Sequence, residues 1–371
     1  MNALDRFFHI TERGSSVATE TRGAVATFLT MAYVLVANPA ILSAAGLPFG
    51  PVAAATAAAA GICCILMGLI ANFPLALASG MGLNAVIAFQ VANEAGSWQA
   101  AMGLVVLDGL IVAALVLLGL REAVMNAIPR DLRRAIGVGI GLFIALIGAV
   151  NARLVVVPAG TIGVLAENPT AVLPPVGYGT LRNPETVIAL VGLIITAVLL
   201  VRRVTGALLI GIILSTLIAL AMGVAKLPTG SWLAAPSFET LFKADIGAAL
   251  NLAVLPLVIP IIMVDFFDTL GTASAVAEEA GLEDAEGRIP NLRSVLLVDA
   301  ASASIGGLMG ASSVTAYIES AAGVAEGART GLSTVIVGVL FLFAMFAAPV
   351  AGIVPGAATA PALIIVGFLM C

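Results

Sequence analysis

No charged residue occurs between Arg22 and Glu94, a run of 71 positions, and none follows Arg329 for the remaining 42. A helix crosses hydrocarbon with about 20 apolar residues, so these runs hold about three and two crossings. The composition agrees, with 61% of the 371 residues apolar and 10% charged, where soluble domains carry roughly 25% charged residues. So few charges cannot cover a chain in water, which excludes soluble enzymes, nucleic-acid binders and disordered chains. The net charge of −5 offers no basic partner surface. Cys63 and Cys64 are adjacent in an apolar run and Cys371 is terminal, so neither a disulfide framework nor a metal or cofactor site is expected. The polar and aromatic opening MNALDRFFHITERGSSVATETRG lacks a small-residue cleavage site and does not read as a signal peptide.

Charges and Pro/Gly clusters bound about twelve apolar segments in an all-α polytopic membrane protein. They lie near 23–46, 52–72, 75–92, 99–120, 134–150, 186–201, 204–225, 247–275, 291–309, 311–325, 331–352 and 356–371. With a cytoplasmic N-terminal segment, 1–22, the inner side holds Arg6, Arg13, Arg22, Arg121, Arg130, Arg133, Arg134, Arg202, Arg203, Arg288, Arg293 and Arg329. The opposite side holds only Arg153, Arg182, Lys226 and Lys243, the asymmetry of the positive-inside rule in a cell membrane. The stretch 151–184, with Pro158, Pro169, Pro174 and Pro175, then becomes an extracytoplasmic excursion.

Two apolar stretches make poor helices: ALASGMGLN at 76–84, with Gly80 and Gly82, and GASSVTAYIE at 310–319, with small, hydroxylated and β-branched residues. Irregular backbone at membrane depth is tolerated only where protein buries it or where it lines a cavity. Interrupted segments at corresponding places in two halves mark a binding site at the interface of inverted repeats. Shifting the chain by about 230 residues sets Asn38-Pro39 over Asp268-Thr269, and the seven spans between the copies make the repeat inverted. The second copy has room for one closing span where the first has three, so the chain is expected to fall short of a full repeat pair.

Five acids lie inside spans: Asp108, Asp265, Asp268, Asp299 and Glu319. An intramembrane carboxylate costs about 2.5 kcal/mol or more and marks a functional site by default. Asp265 and Asp268, in VDFFDTLGT, are three apart and are expected to share a helix face with Thr272. Glu319 follows the second irregular stretch, where a half-helix should begin near Ser320 with free N–H groups. Asn84, Gly82 and Thr315 sit in the two irregular stretches and join the candidate site, with backbone amides near 81–84 and 314–318. Asp108, in VVLDGLIV, and Asp299 read as structural acids hydrogen-bonded between spans. His9 reads as a surface residue, the cluster EEAGLEDAEGR at 278–288 as a solvated loop, and GVGIGLFIALIG as a close-packing face. Acids without basic neighbours repel anions, so the ligand expected is neutral, planar and polar.

The stretches FFHITERGSSVATETRGAVATFLTMAYVLVANPAIL, SGMGLNA, IPRDLRRAIGVGIGLFIALIG, VDFFDTLGTASAVAEEAGL and SSVTAYIESAAGVAEGARTGL closely resemble the AzgA-like hypoxanthine/guanine/adenine permeases. These belong to the xanthine/uracil permease group of nucleobase:cation symporters. The resemblance runs in order from Leu4 to Leu369. It implies two inverted seven-span repeats with facing short strands in spans 3 and 10. Core domain halves would be 23–120 and 247–352; gate domain halves would be 134–225 and a truncated 356–371. It implies uptake of purine bases by proton symport, with sodium and a homodimer left open. Carried over by position, the acids that hold the base fall on Asp268, with Asp265 adjacent, and on Glu319. Asn84 falls at the third-span site. Relatives continue past the point where this chain reads FLMC.

Asp268 and Glu319 would accept N–H groups of the base, and a desolvated acid without a basic neighbour gains affinity for protons. Both therefore serve as candidate proton carriers. Stacking by Phe266, Phe267 or Tyr317 is left unassigned. One rival is an anion transporter of the same fold, which Glu319 opposes. Another is an intramembrane aspartyl protease, suggested by Pro361-Ala362-Leu363, but no membrane acid stands in a G-x-G-D context. No catalytic residue is assigned.

Overall fold

Ser16 ends the polar opening by accepting the Thr19 amide, and the first membrane helix starts there, earlier than the charge pattern suggests. The computed structural model describes residues 3–119, 130–156, 176–227, 231–251, 254–283 and 288–369. In chain order its elements are α1 (Ala3–Phe8), α2 (Val17–Met31), α3 (Val34–Leu42), α4 (Phe49–Leu66), β1 (Leu77–Ser79), α5 (Met81–Val86), α6 (Trp98–Leu117) and α7 (Arg130–Asn151). There follow β2 (Val155–Val156), β3 (Gly177–Tyr178), α8 (Pro184–Val201), α9 (Ala207–Ala221), α10 (Ile246–Ala249), α11 (Val258–Ala280) and α12 (Leu292–Met309). The chain closes with β4 (Val314–Ala316), α13 (Ser320–Ala325), α14 (Gly331–Ala344) and α15 (Gly356–Leu369).

Among the described residues seven helical stretches are long and apolar enough to cross a membrane, and three shorter apolar helices cover 141–151, 207–221 and 356–369. The two remaining expected spans, 75–92 and 311–325, are the strand-then-helix segments built on β1 and β4. The first expected span breaks at Ala32–Tyr33 between α2 and α3, and α3 contains Pro39. The excursion expected at 151–184 is seen only at its ends, where β2 pairs antiparallel with β3; residues 157–175 lie outside the described residues.

The chain separates into two compact units, Met1–Gly137 with Gly230–Gly352, and Val138–Thr229 with Ile353–Cys371. In the second, Ala152, Ala189 and Ala360 form one apolar cluster, and Ile188, Ala219, Ala225 and Ala357 form another.

In the first unit α4, with its wider turn at Met67–Ala71, crosses α14 at backbone distance. A side chain added at Gly61 would strike the Gly338 carbonyl and Leu342, and one at Gly68 would strike the Gly331 carbonyl and Val335. The two glycine pairs are seven residues apart on each helix, two turns, so they lie on one line of contact. Backbone against backbone leaves no soft atom to yield. We expect Gly338→Val to cost about 1–3 kcal/mol through overpacking, read as a lower thermal midpoint in detergent.

The loops expected on the inner side meet at one end of this unit. Glu20 is buried and accepts the amides of Arg329 (2.9 Å) and Thr330 (3.3 Å). Arg13 donates to the carbonyls of Asn72 (2.8 Å) and Arg329 (3.0 Å). Asn72 donates to the Phe8 carbonyl and accepts the Gly331 amide, and Arg22 pairs with Glu326. Beside them Phe8 and Ile10 pack against Leu332.

At the outer edge of this clasp Asp5 accepts the Thr11 amide (2.8 Å) and hydroxyl (3.0 Å). The backbone bond, more than the hydroxyl, holds its carboxyl below the usual carboxylate range. A depressed acid stabilises above its unfolded value and loses that contribution as pH falls. The protection of the Thr11 amide, its exchange relative to the intrinsic rate at each pH, should therefore fall below about pH 4, and Asp5→Asn should remove that pH dependence.

Candidate functional site

The two irregular stretches meet. β1 pairs antiparallel with β4 in the register Leu77↔Ala316, Ala78↔Thr315 and Ser79↔Val314. The ladder extends at both ends, with Gly80 N–H to the Ser313 carbonyl (2.9 Å) and Tyr317 N–H to the Ala76 carbonyl (3.0 Å). All six strand residues are buried, so each strand satisfies backbone groups that neither could satisfy alone. A short helix leaves each strand: α5 after Gly80 and α13 after Glu319.

Glu319 is half-buried, and its Oε1 accepts from the Tyr33 hydroxyl at 3.0 Å. Tyr33 stands where the first span breaks. Tyr317 donates to the Ser79 carbonyl at 2.5 Å, which ties the exit of β4 to β1. Asp268 on α11 lies within electrostatic range of Asp265 and Glu319, and Tyr317 lies within range of Asp268 and Glu319. The two acids expected to hold a ligand are thus brought together.

Asp265 and Asp268 do not share an environment. From Asp265 to Ala277 along α11 the buried positions are Asp265, Phe266, Thr269, Thr272, Ala273, Val276 and Ala277, while Asp268, Gly271, Ser274 and Ala275 are exposed. Three residues turn a helix by about 300°, and the edge of the buried stripe falls between the two acids. Asp265 therefore joins Thr272 in the interior, and Asp268 stands outside. The Ser313 hydroxyl donates to Asp265 Oδ1 at 3.3 Å. The Phe267 side chain lies outside the described residues.

Asn84 is fully buried on α5 and donates to Asn38 Oδ1 at 2.6 Å. Asn38 donates in turn to the Thr56 hydroxyl (2.8 Å) and the Ala311 carbonyl (3.1 Å). Asn84 Oδ1 has no hydrogen-bond partner. Gly82 is half-buried one turn from the strand. Not all expected backbone donors are free: the Asn84 amide is taken by the Gly80 carbonyl because α5 begins immediately, and the Tyr317 amide extends the sheet.

Thr315 is buried, and its hydroxyl lies 3.0 Å from that of Thr269, which donates to Asp299 Oδ2 at 2.6 Å. Asp299 is hydrogen-bonded between spans, as the sequence suggests. Asp108 is not: both of its carboxylate oxygens are buried without a hydrogen-bond partner. Helix α6 meets α12 closely at Gly109, against Ser304 and the Ala300 carbonyl, and the Ser304 hydroxyl there donates to the Val106 carbonyl instead of the acid. Sequence reading missed Tyr33, Asn38, Thr269 and Ser313. Pro39 inside the first expected span was the available signal for Asn38.

The ion pairs between described residues are His9–Glu12, Arg22–Glu326 and Arg153–Glu185, and none involves Asp108, Asp268 or Glu319. Among the described residues no group of His, Cys, Asp or Glu is arranged to hold a metal ion. The site is therefore a pair of accessible acceptors, Asp268 and Glu319, backed by a polar interior.

The Xan_ur_permease model, described as "Permease family", matches residues 20–371. The chain belongs to this permease family. It is 42% identical to the putative permease MJ0326 of Methanocaldococcus jannaschii, over 94% of this chain and 78% of that protein. It is 40% identical to the guanine/hypoxanthine permease PbuG of Bacillus subtilis, over 94% and 79%, and 39% identical to the adenine permease AdeP of Escherichia coli, over 94% and 76%. Among solved structures, the transmembrane domain of a cyanobacterial bicarbonate transporter, BicA, matches with a TM-score of 0.69 at 20% identity, over 95% of this chain and 89% of that one. That likeness concerns the fold alone, that of an inverted-repeat membrane transporter. This permease is a multi-pass membrane protein and not an enzyme.

Thr269 links Asp299 to β4. Replacing it with valine keeps the shape and leaves Asp299 Oδ2 without that donor. We expect Thr269→Val to lower stability by about 1–3 kcal/mol, measured as the thermal midpoint of the purified permease, with Thr269→Ser retaining most of it.

Proposed function

We propose that this permease carries a purine nucleobase, adenine, guanine or hypoxanthine, into the cell by proton symport. The base lies between the third, eighth and tenth spans. The observation that carries the reading is that two accessible acids, Asp268 and Glu319, lie within electrostatic range of each other and, among the described residues, without an ion-pair partner. Carboxylates accept the ring and exocyclic N–H groups of a flat heterocycle and repel anions. The likeness to the guanine/hypoxanthine permease PbuG and the adenine permease AdeP supports the substrate class. The fold likeness to a bicarbonate transporter carries no substrate, and the acids oppose an anionic one.

Asp268 and Glu319 hold the base, and Asn84, Gly82 and Thr315 shape the wall behind it. Asp265 supports from the interior. Tyr33 fixes the Glu319 carboxylate through its hydrogen bond, so the acid is oriented before the base arrives. Glu319 and Asp268 carry the coupling proton. In this reading the first compact unit is the core domain, the second is the gate, and the N-terminus faces the cytoplasm of a cell whose plasma or inner membrane holds the protein.

A base that binds only the folded protein raises its thermal midpoint, by about 2.7 kcal/mol of stability at a hundred times the dissociation constant. Adenine, guanine and hypoxanthine should be compared in that assay. Glu319→Gln should abolish proton-driven purine accumulation while the protein still inserts into the membrane. Unchanged accumulation by that variant would remove Glu319 from the mechanism, and the absence of a thermal shift with every purine would remove the substrate class.

A further inference from the structure

Three helices each place an acid in the interior of the first unit. Asp108 on α6, Asp265 on α11 and Asp299 on α12 are 0%, 1% and 2% exposed. Asp108 lies within electrostatic range of both others. Asp265 is met by the Ser313 hydroxyl and Asp299 by the Thr269 hydroxyl, itself next to Thr315. Asp108 receives no hydrogen bond at either oxygen. It is held in place by backbone packing: Gly109 abuts the Ala300 carbonyl, Gly307 abuts Val106, and the Ser304 hydroxyl donates to the Val106 carbonyl at 3.0 Å.

A buried carboxylate with no donor, next to two other acids, has no way to remain ionised at moderate cost. Among the described residues, the groups facing it from the helices packed on α6 do not neutralise it. These are Asp265 on α11 and Asp299 on α12, both within its electrostatic range; Asp268 stands on the exposed side of α11, and Asp245, before α10, accepts the Ala248 amide. Arg293 on α12 donates to the Leu117 carbonyl at the far end of α6, and Cys63 on α4 lies near Asp299. No three of these acids and thiols are placed to share a metal ion.

We propose that Asp108 is a proton-binding site, separate from the acids that face the substrate. One proton from water adds to a carboxylate oxygen to give the neutral acid, and returns to water when the site empties. The neutral acid then carries an O–H of its own, which needs no donor from its surroundings and removes the repulsion with Asp265 and Asp299. This goes beyond the nucleobase reading and does not depend on it.

The test is infrared spectroscopy of the purified permease at neutral pH, in water and in heavy water. The carbonyl stretch of a protonated carboxylic acid is well separated from that of a carboxylate. Asp108→Asn keeps the size and removes the acid, and one protonated-acid band should disappear. If that variant does not fold, Asp299→Asn serves instead, because it changes the nearest environment and should shift the Asp108 band. A wild-type spectrum with no protonated-acid band, or the same spectrum in Asp108→Asn, overturns the proposal. So does a sodium titration at fixed pH that raises the thermal midpoint of the wild type and not of Asp108→Asn, since the site would then hold a metal cation. None of these readouts uses a purine. A wild type that no purine stabilises would sink the transport reading and leave this result standing, whereas Asp108→Asn should keep whatever purine-induced shift the wild type shows.

Discussion

Two three-residue strands must find each other, or neither can exist at membrane depth. An unpaired N–H or C=O in hydrocarbon costs several kcal/mol, and a lone strand would expose a row of them. The pairing of Leu77–Ser79 with Val314–Ala316 closes that debt between segments far apart in the chain. Everything at the candidate site follows from it. The strand exits set the starts of the two half-helices, Tyr317 is bonded back to Ser79, and Glu319 emerges where Tyr33 can reach it. A substitution that slipped the register by one residue would turn Thr315 away from Thr269 and break the link to Asp299.

The spans were legible in the sequence because charge is so costly in lipid that its absence maps the bilayer directly. The irregular stretches were legible for a related reason: Gly80, Gly82 and the run Ser312-Ser313-Val314-Thr315 suit a helix badly. What the sequence concealed is side-chain geometry set by tertiary packing. Asn38 and Asn84 belong to different spans, and nothing local announces their hydrogen bond. Asp265 and Asp268 sit at a spacing compatible with one face, yet the boundary of the buried stripe on α11 depends on which neighbours cover it. Asp108 looked like an ordinary hydrogen-bonded acid because the destination of the Ser304 hydroxyl, the Val106 carbonyl and not the carboxylate, is set by the packing of α6 on α12.

The division of labour among the acids follows from burial. Glu319 and Asp268 keep access to a ligand, while Asp108, Asp265 and Asp299 are enclosed with hydroxyl groups around two of them. Asp265 lies on α11, which packs against both β4 and α13, and Asp299 on α12, which packs against β4, while Asp108 lies on α6, which packs against α11 and α12. Glycine contacts such as Gly61–Gly338 and Gly68–Gly331 add rigidity, since helices in backbone contact have little room to slide.

Glu20 carries a last implication, for biogenesis. It is enclosed near the beginning of the chain, and the amides that receive it belong to Arg329 and Thr330, 309 and 310 residues later. The ribosome delivers the first span long before these donors are made. Until then the acid must stay hydrated at the bilayer edge or carry a proton, so the first helix cannot settle into its final depth on insertion. Closure of the clasp is a post-insertion event, and it reports that almost the whole of the first unit has arrived.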